Sequence, residues 1–295
     1  MDSSMKIQGS IVALITPMTT DGEVDFSSLG NLIEHHIDQG TDAIVSVGTT
    51  GESATLTVDE HIAVIEQTVQ FVNQRIPVIA GTGANSTQEA IHLTSKAKQL
   101  GADAALLVVP YYNKPSQEGL YLHYQAVADS VEIPQILYNV PGRTVADMSN
   151  AIVDRLADHE NIIAIKDATG DMQRGKELID LCADRLTVLS GDDLTALDLM
   201  KLGAKGNISV TANIVPDQMK QLCDAALRGD FEMAEQIDSR LRTLHTELFV
   251  ESNPIPVKYA VSELGYTANF LRLPLTPLQD QYRGLIDDAV KQANN

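Results

Sequence analysis

The chain has 295 residues, of which 44% are hydrophobic, and its 40 acidic against 21 basic side chains leave a formal charge of −19. Such a length suits one large domain with a sizeable core, and the charge opposes approach to nucleic-acid phosphates or anionic lipid. The two cysteines, Cys182 and Cys223, stand far apart and outside any CxxC spacing, so they read as reduced, packed thiols rather than a disulfide framework or zinc knuckle. From the N-terminus, MDSSMKIQGS lacks the charged-then-apolar pattern of a secretory signal, and no apolar run reaches the roughly 18–20 residues that span a bilayer. A cytoplasmic protein with neither nucleic-acid nor membrane partners is expected.

Short apolar runs then recur with helix-patterned stretches between them. In chain order they are IVALITPM from 11, AIVSVGTT from 43, PVIAGTG from 77, AALLVVPYY from 104, QILYNVP from 135, IIAIKDA from 162, LTVLSGDD from 186 and GNISV from 206. The intervening periodicity is illustrated by Ile62, Ile65, Val69 and Val72, and two S/T-x-x-E boxes, Thr57 to Glu60 and Ser86 to Glu89, mark helix starts. Repeated βα units predict a parallel sheet. An open dinucleotide-binding sheet would carry three glycines at its first turn, and GTGANS at 81–86 lacks the third. Eight units over about 215 residues suit a closed (β/α)8 TIM barrel. After residue 226 only helical patterns remain, roughly 230–250, 254–265 and 275–290, with Pro254, Pro256, Pro274 and Pro277 near their starts. The expected organisation is a catalytic barrel over 1–226 and a helical extension over 227–295.

In such a barrel the site forms at the C-terminal strand ends, so the polar residues there are the candidates. Thr49 and Thr50 end the second strand, Tyr111 and Tyr112 the fourth, Tyr138 the fifth with Arg143 close behind, Lys166 the sixth and Gly191 the seventh. Lys166 is the one lysine of eleven placed in an apolar strand. Apolar surroundings disfavour the ammonium form, and a neutral amine can attack a ketone to form a Schiff base. An ion pair with Asp167, or a side chain reaching solvent at the strand end, explains the same lysine.

Tyr138 can pass protons or simply pack, and Arg143 offers a planar fork to a carboxylate or a solvated loop cation. GTTGES, ahead of the capped helix near Thr57, can form a nest for a carboxylate. All seven histidines fall in helical patterns or at their edges, and the pair Asp192–Asp193 is accounted for by helix capping. No metal and no cofactor is expected.

Taken together in this order, GTTGES (48–53), PYYN (110–113), YNVPGRT (138–144) and IKDATGD (165–171) resemble the N-acetylneuraminate lyase superfamily of Schiff-base barrels. Within it they resemble the branch that condenses pyruvate with L-aspartate 4-semialdehyde on the route to diaminopimelate and lysine. The resemblance covers essentially the whole chain. It implies that Lys166 forms the imine with pyruvate, that Tyr138 exchanges protons over it, and that Thr49 and Tyr112 complete a hydroxyl relay, Tyr112 across a subunit interface. It implies that Thr49 and Thr50 hold the pyruvate carboxylate, Arg143 that of the aldehyde, and Gly191 and Ile208 the pocket wall.

A homotetramer built as a pair of tight dimers is implied too. Ser53, Ala54, His61, Asn85, Glu89 and Tyr111 resemble the L-lysine feedback site of lysine-sensitive members, while Val58 stands where those members often carry a histidine. Glu89 has a structural reason of its own as the third residue of the Ser86 box. Sister enzymes acting on sialic or keto-sugar acids would share Lys166 and Tyr138, but the arginine in YNVPGRT resembles the synthase branch. A non-catalytic ligand-binding barrel would be expected to lose part of the lysine, tyrosine and threonine set, and all of it is present.

Overall fold

The computed structural model describes residues 7–294. Eight parallel strands close a barrel in sequence order: β1 (Gly9–Ala13), β2 (Ala43–Ser46), β3 (Val78–Gly81), β4 (Ala104–Val108), β5 (Gln135–Asn139), β6 (Ile162–Asp167), β7 (Thr187–Ser190) and β8 (Gly206–Ser209). All eight apolar runs are strands. The helices between them are α1 (Phe26–Asp38), α2 (Val58–Val72), α3 (Thr87–Leu100), α4 (Gln117–Ser130), the short α5 (Pro141–Thr144), α6 (Asn150–Leu156), α7 (Met172–Cys182), α8 (Ala196–Leu202) and α9 (Pro216–Leu227). Three more follow: α10 (Phe231–Glu247), α11 (Ile255–Glu263) and α12 (Asp280–Ala293).

Closure leaves no sheet edge, and helices cover the outer face, so strand residues are buried on both sides. Ile11, Val45, Ile79, Leu106, Ile136, Leu189 and Ile208 fill the barrel interior, while the second apolar layer lies between strands and helices. That outer layer continues without a break into Leu241 and Leu244 of α10 and Ile286 of α12.

One irregularity decides the site. Gln135 pairs with Ile162 but Ile136 pairs with Ala164, so a bulge at Ile163 shifts the phase of β6. Ile162 therefore belongs to the outer layer, whereas Ala164, two positions on, belongs to the interior, and Lys166 comes opposite Tyr138.

Two expectations need correction. Thr57 and Glu60 form a reciprocal capping box, but at Ser86 only the forward half exists: Ser86 accepts from the Glu89 N–H, and the Glu89 carboxylate does not reach back. The last helix begins at Asp280, because Pro274 lies in a turn and Pro277 in the irregular approach that follows it, both ahead of the helix's first turn.

Candidate active site

Lys166 and Tyr138 are register partners on β6 and β5, each 6% exposed. The Lys166 Nζ sits 4.3 Å from the centroid of the Tyr138 ring, over its electron-rich face. Among the described residues no carboxylate lies within ion-pairing distance of this amine. Asp167 fails as the partner because successive strand residues face opposite ways. Its carboxylate accepts the Thr169 N–H at 3.0 Å on the outer side, and burial raises its pKa.

Gly191 makes room for the lysine. A Cβ there would lie 2.5 Å from Lys166 Cε and 2.8 Å from Cγ, inside van der Waals contact.

A cavity of about 120 Å³ opens above this pair, lined by Thr49, Thr50, Tyr138, Arg143, Lys166, Gly191 and Asp192 among others. Ile208, expected on its wall, is 1% exposed in the packed layer of the barrel interior, and Val210 lines the cavity instead. Val210 lies just past the end of β8, where the backbone has already turned to helical angles at the mouth of the barrel.

Tyr112 lies away from this cavity. It is 89% exposed, with a left-handed φ of 74° that an aromatic residue adopts only where surrounding contacts enforce it. The loop is held by Asn113, whose amide donates to the Asn85 carbonyl at 2.8 Å.

Beside the first cavity lies a second of about 240 Å³, and Thr49, Val140 and Arg143 line both. Ser53, Ala54, Val58, His61, Glu89 and Tyr111 line the second; Asn85 does not. Burial lowers the His61 pKa, and its Nε2 lies 2.7 Å from the Gly81 carbonyl. Burial, and then Glu89, raises that of Tyr111.

The helical extension supplies what sequence reading missed. Asn253, between α10 and α11, lines the first cavity and donates from Nδ2 to Thr50 Oγ1 at 3.0 Å. Its main-chain carbonyl accepts from Arg143 Nη2 at 3.1 Å. Lys258 on α11 pairs with Glu52 of the GTTGES turn, and Glu52 has a left-handed φ of 58°. Arg272 forks onto Glu60 at 2.6 and 2.8 Å. Of these, only Lys258 left a trace in the sequence, as a lone charge in the apolar stretch IPVKYAV.

The capping expected of Asp192 and Asp193 is not formed, as neither side chain caps the helical turn that begins there; the buried Asp193 carboxylate accepts instead from the Val210 and Thr211 N–H groups at 2.9 and 3.0 Å and from the Asn207 amide at 2.7 Å, fastening the end of β8. Among the described residues, no three His, Cys, Asp or Glu side chains cluster as metal ligands. No described helix is long and apolar enough to cross a membrane.

Comparison with known proteins agrees with this fold. A 4-hydroxy-tetrahydrodipicolinate synthase of a Psychrobacter species is 59% identical over 292 residues, covering 99% of this chain and 97% of the relative. Its counterpart in Stutzerimonas stutzeri is 58% identical over 286 residues, covering 97% and 98%. The crystal structure of a chloride-inhibited dihydrodipicolinate synthase from Acinetobacter baumannii, complexed with pyruvate, superposes with a TM-score of 0.97 at 58% identity, covering 98% and 99%. A synthase from Cyanidioschyzon merolae with lysine bound superposes at 0.94 with 37% identity, covering 97% and 98%. The model of the dihydrodipicolinate synthetase family matches residues 6–293, and the chain belongs to that family.

Proposed function

We propose that this chain condenses pyruvate with L-aspartate 4-semialdehyde to give 4-hydroxy-tetrahydrodipicolinate, through a Schiff base on Lys166. The observation that carries the reading is an amine without a carboxylate partner among the described residues, 6% exposed, at the floor of a cavity of about 120 Å³ beneath a tyrosine ring.

Nζ adds to the pyruvate carbonyl and water leaves, giving an iminium whose positive nitrogen draws electrons from the methyl group. Loss of a methyl proton yields an enamine, whose carbon attacks the aldehyde. The amino group of the semialdehyde then adds to the imine carbon and expels the Lys166 amine, closing the ring. Tyr138, against the amine, is the group positioned to move protons in these steps, with Thr49 beside it on the cavity wall. Thr49 and Thr50 receive the carboxylate of pyruvate, and Arg143 that of the aldehyde. Pyruvate is an anion, the semialdehyde is a zwitterion that brings one carboxylate, and the chain carries −19, so capture of that carboxylate falls to this local cation rather than to long-range steering.

Tyr112 enters the relay from a neighbouring copy. An exposed aromatic side chain on a left-handed backbone suits a residue whose contacts come from a second subunit, within a cytoplasmic homotetramer made of two tight dimers. The cavity of about 240 Å³ takes L-lysine as an effector. Glu89 and Arg143 bring opposite charges to its wall, matching an ammonium and a carboxylate on one ligand.

The test is borohydride reduction with pyruvate, followed by mass analysis. The peptide bearing Lys166 is expected to carry the reduced pyruvyl adduct, and the Lys166→Arg protein none. An unmodified Lys166, or an adduct on another lysine, overturns the reading.

A further inference from the structure

Among the described residues of the helical extension, Phe249 and Asn253 are those that line the catalytic cavity. Asn253 is 5% exposed and bound on two sides: its amide nitrogen donates to Thr50 Oγ1, and its main-chain carbonyl holds Arg143. Its own Oδ1 is buried and has no hydrogen-bond partner among the described residues. A packing residue would be expected to satisfy that oxygen or to be apolar, since an unpaired buried acceptor is costly.

The chemistry of the Thr50 hydroxyl gives the arrangement a purpose. A hydroxyl has one proton to donate and two lone pairs to accept with. With Asn253 donating to a lone pair, the hydroxyl hydrogen is turned away from residue 253 and is free to donate to an anion in the cavity. The carbonyl of the same residue fixes one arm of the Arg143 guanidinium at the rim, leaving its other N–H groups for a second carboxylate.

We propose that Asn253 is a positioning residue for both substrate carboxylates: its side chain commits the Thr50 hydroxyl to donating into the cavity, and its main chain aims Arg143. The proposal rests on the assignment, made above, of Thr50 to the pyruvate carboxylate and Arg143 to that of the aldehyde. The two functions sit on different parts of one residue, so substitution separates them. Asn253→Asp keeps the shape but replaces the donor with an acceptor. The Thr50 hydroxyl then donates to residue 253 rather than into the cavity, and a negative charge is added beside an anionic substrate. Asn253→Ala deletes the amide and retains the carbonyl that holds Arg143.

The experiment measures steady-state constants for both substrates in Asn253→Asp, Asn253→Ala, Thr50→Val and the Thr50→Val/Asn253→Ala double variant, each checked for folding by circular dichroism. Loss of a hydrogen bond to a charged group predicts a rise in KM for pyruvate of roughly tenfold or more in Asn253→Asp, and a smaller rise in Asn253→Ala. In Asn253→Ala, KM for the aldehyde and kcat stay near parental values. Asn253→Ala adds nothing further in the Thr50→Val background, because the residue acts through that hydroxyl.

Three results overturn the proposal while leaving the pyruvate assignment intact: a raised KM in Thr50→Val with an unchanged one in Asn253→Asp, additive effects in the double variant, or equal losses of kcat without a change in KM. If Thr50→Val leaves KM for pyruvate unchanged, the carboxylate assignment itself fails and the proposal falls with it. If the aspartate variant does not fold, the alanine variant and the double variant still decide.

Discussion

Glu52 and Lys258 lie 206 positions apart and form an ion pair in which neither side chain has any exposure to solvent. Burial pulls the Lys258 pKa below its ordinary value against the pull of the carboxylate, so the pair relies on its contact geometry rather than on hydration. It ties α11 to the left-handed residue of the GTTGES turn, two positions after Thr50. Removing one partner leaves a buried charge uncompensated. Glu52→Gln or Lys258→Met is expected to cost about 3–5 kcal/mol of unfolding free energy, and the two together much less than their sum. Urea unfolding of the three variants measures this; strict additivity would show that the contact is not coupled.

Glu60 provides a pH-dependent counterpart. Its hydrogen bonds with Arg272 lower its pKa from 4.5 to about 2. Because the folded value lies below the unfolded one, the stabilisation is fully present above about pH 4.5 and is lost as pH falls toward about 2. The gap in urea midpoint between the parent and Glu60→Gln should therefore be constant near neutrality and narrow below pH 4.5. A gap that persists undiminished into that acid window would count against the pair as its source.

Gly191 is expected to be indispensable for steric reasons alone. Gly191→Ala places a methyl group 2.5 Å from Lys166 Cε, and the opposing Tyr138 ring limits where the lysine can retreat. Borohydride trapping of pyruvate should fall sharply, while the circular dichroism spectrum and melting temperature change little. Parental trapping in this variant would mean that the lysine chain has freedom the packing does not allow.

Arg143→Ala should raise KM for the aldehyde by roughly ten- to a hundredfold, the equivalent of losing a hydrogen bond to a charged group, and KM for pyruvate far less. Equal rises in both would reassign Arg143 to general shaping of the mouth that it shares with the second cavity.

Millimolar L-lysine is expected to inhibit the parent partially, without competing with pyruvate, and Glu89→Ala to remove that inhibition. The half-formed box at Ser86 leaves the Glu89 carboxylate uncommitted to the helix end, and Val58 supplies an apolar wall where a further polar contact could stand. Undiminished turnover of the parent in lysine would eliminate the effector site.

The local pattern of the chain determined the eight strands, the alternation with helices and the strand-end set of Thr49, Tyr138, Lys166 and Gly191, because apolar period and capping act over a few residues. The phase of β6 was not legible: a bulge at Ile163 decides that Lys166 faces inward, and bulges arise from pairing with a neighbouring strand. Nor was the outcome at Ser86, where two carboxylates with the same S/T-x-x-E spacing meet different fates, Glu60 closing its box and Glu89 turning to a cavity. Glu60 also meets Arg272, 212 positions away. Separations of 203 and 206 positions likewise hid Asn253 and Lys258. Their partners Thr50 and Glu52 lie on a turn that only barrel closure and the return of the helical extension bring to them, and hydrogen bonds of that span leave no periodic mark on the sequence.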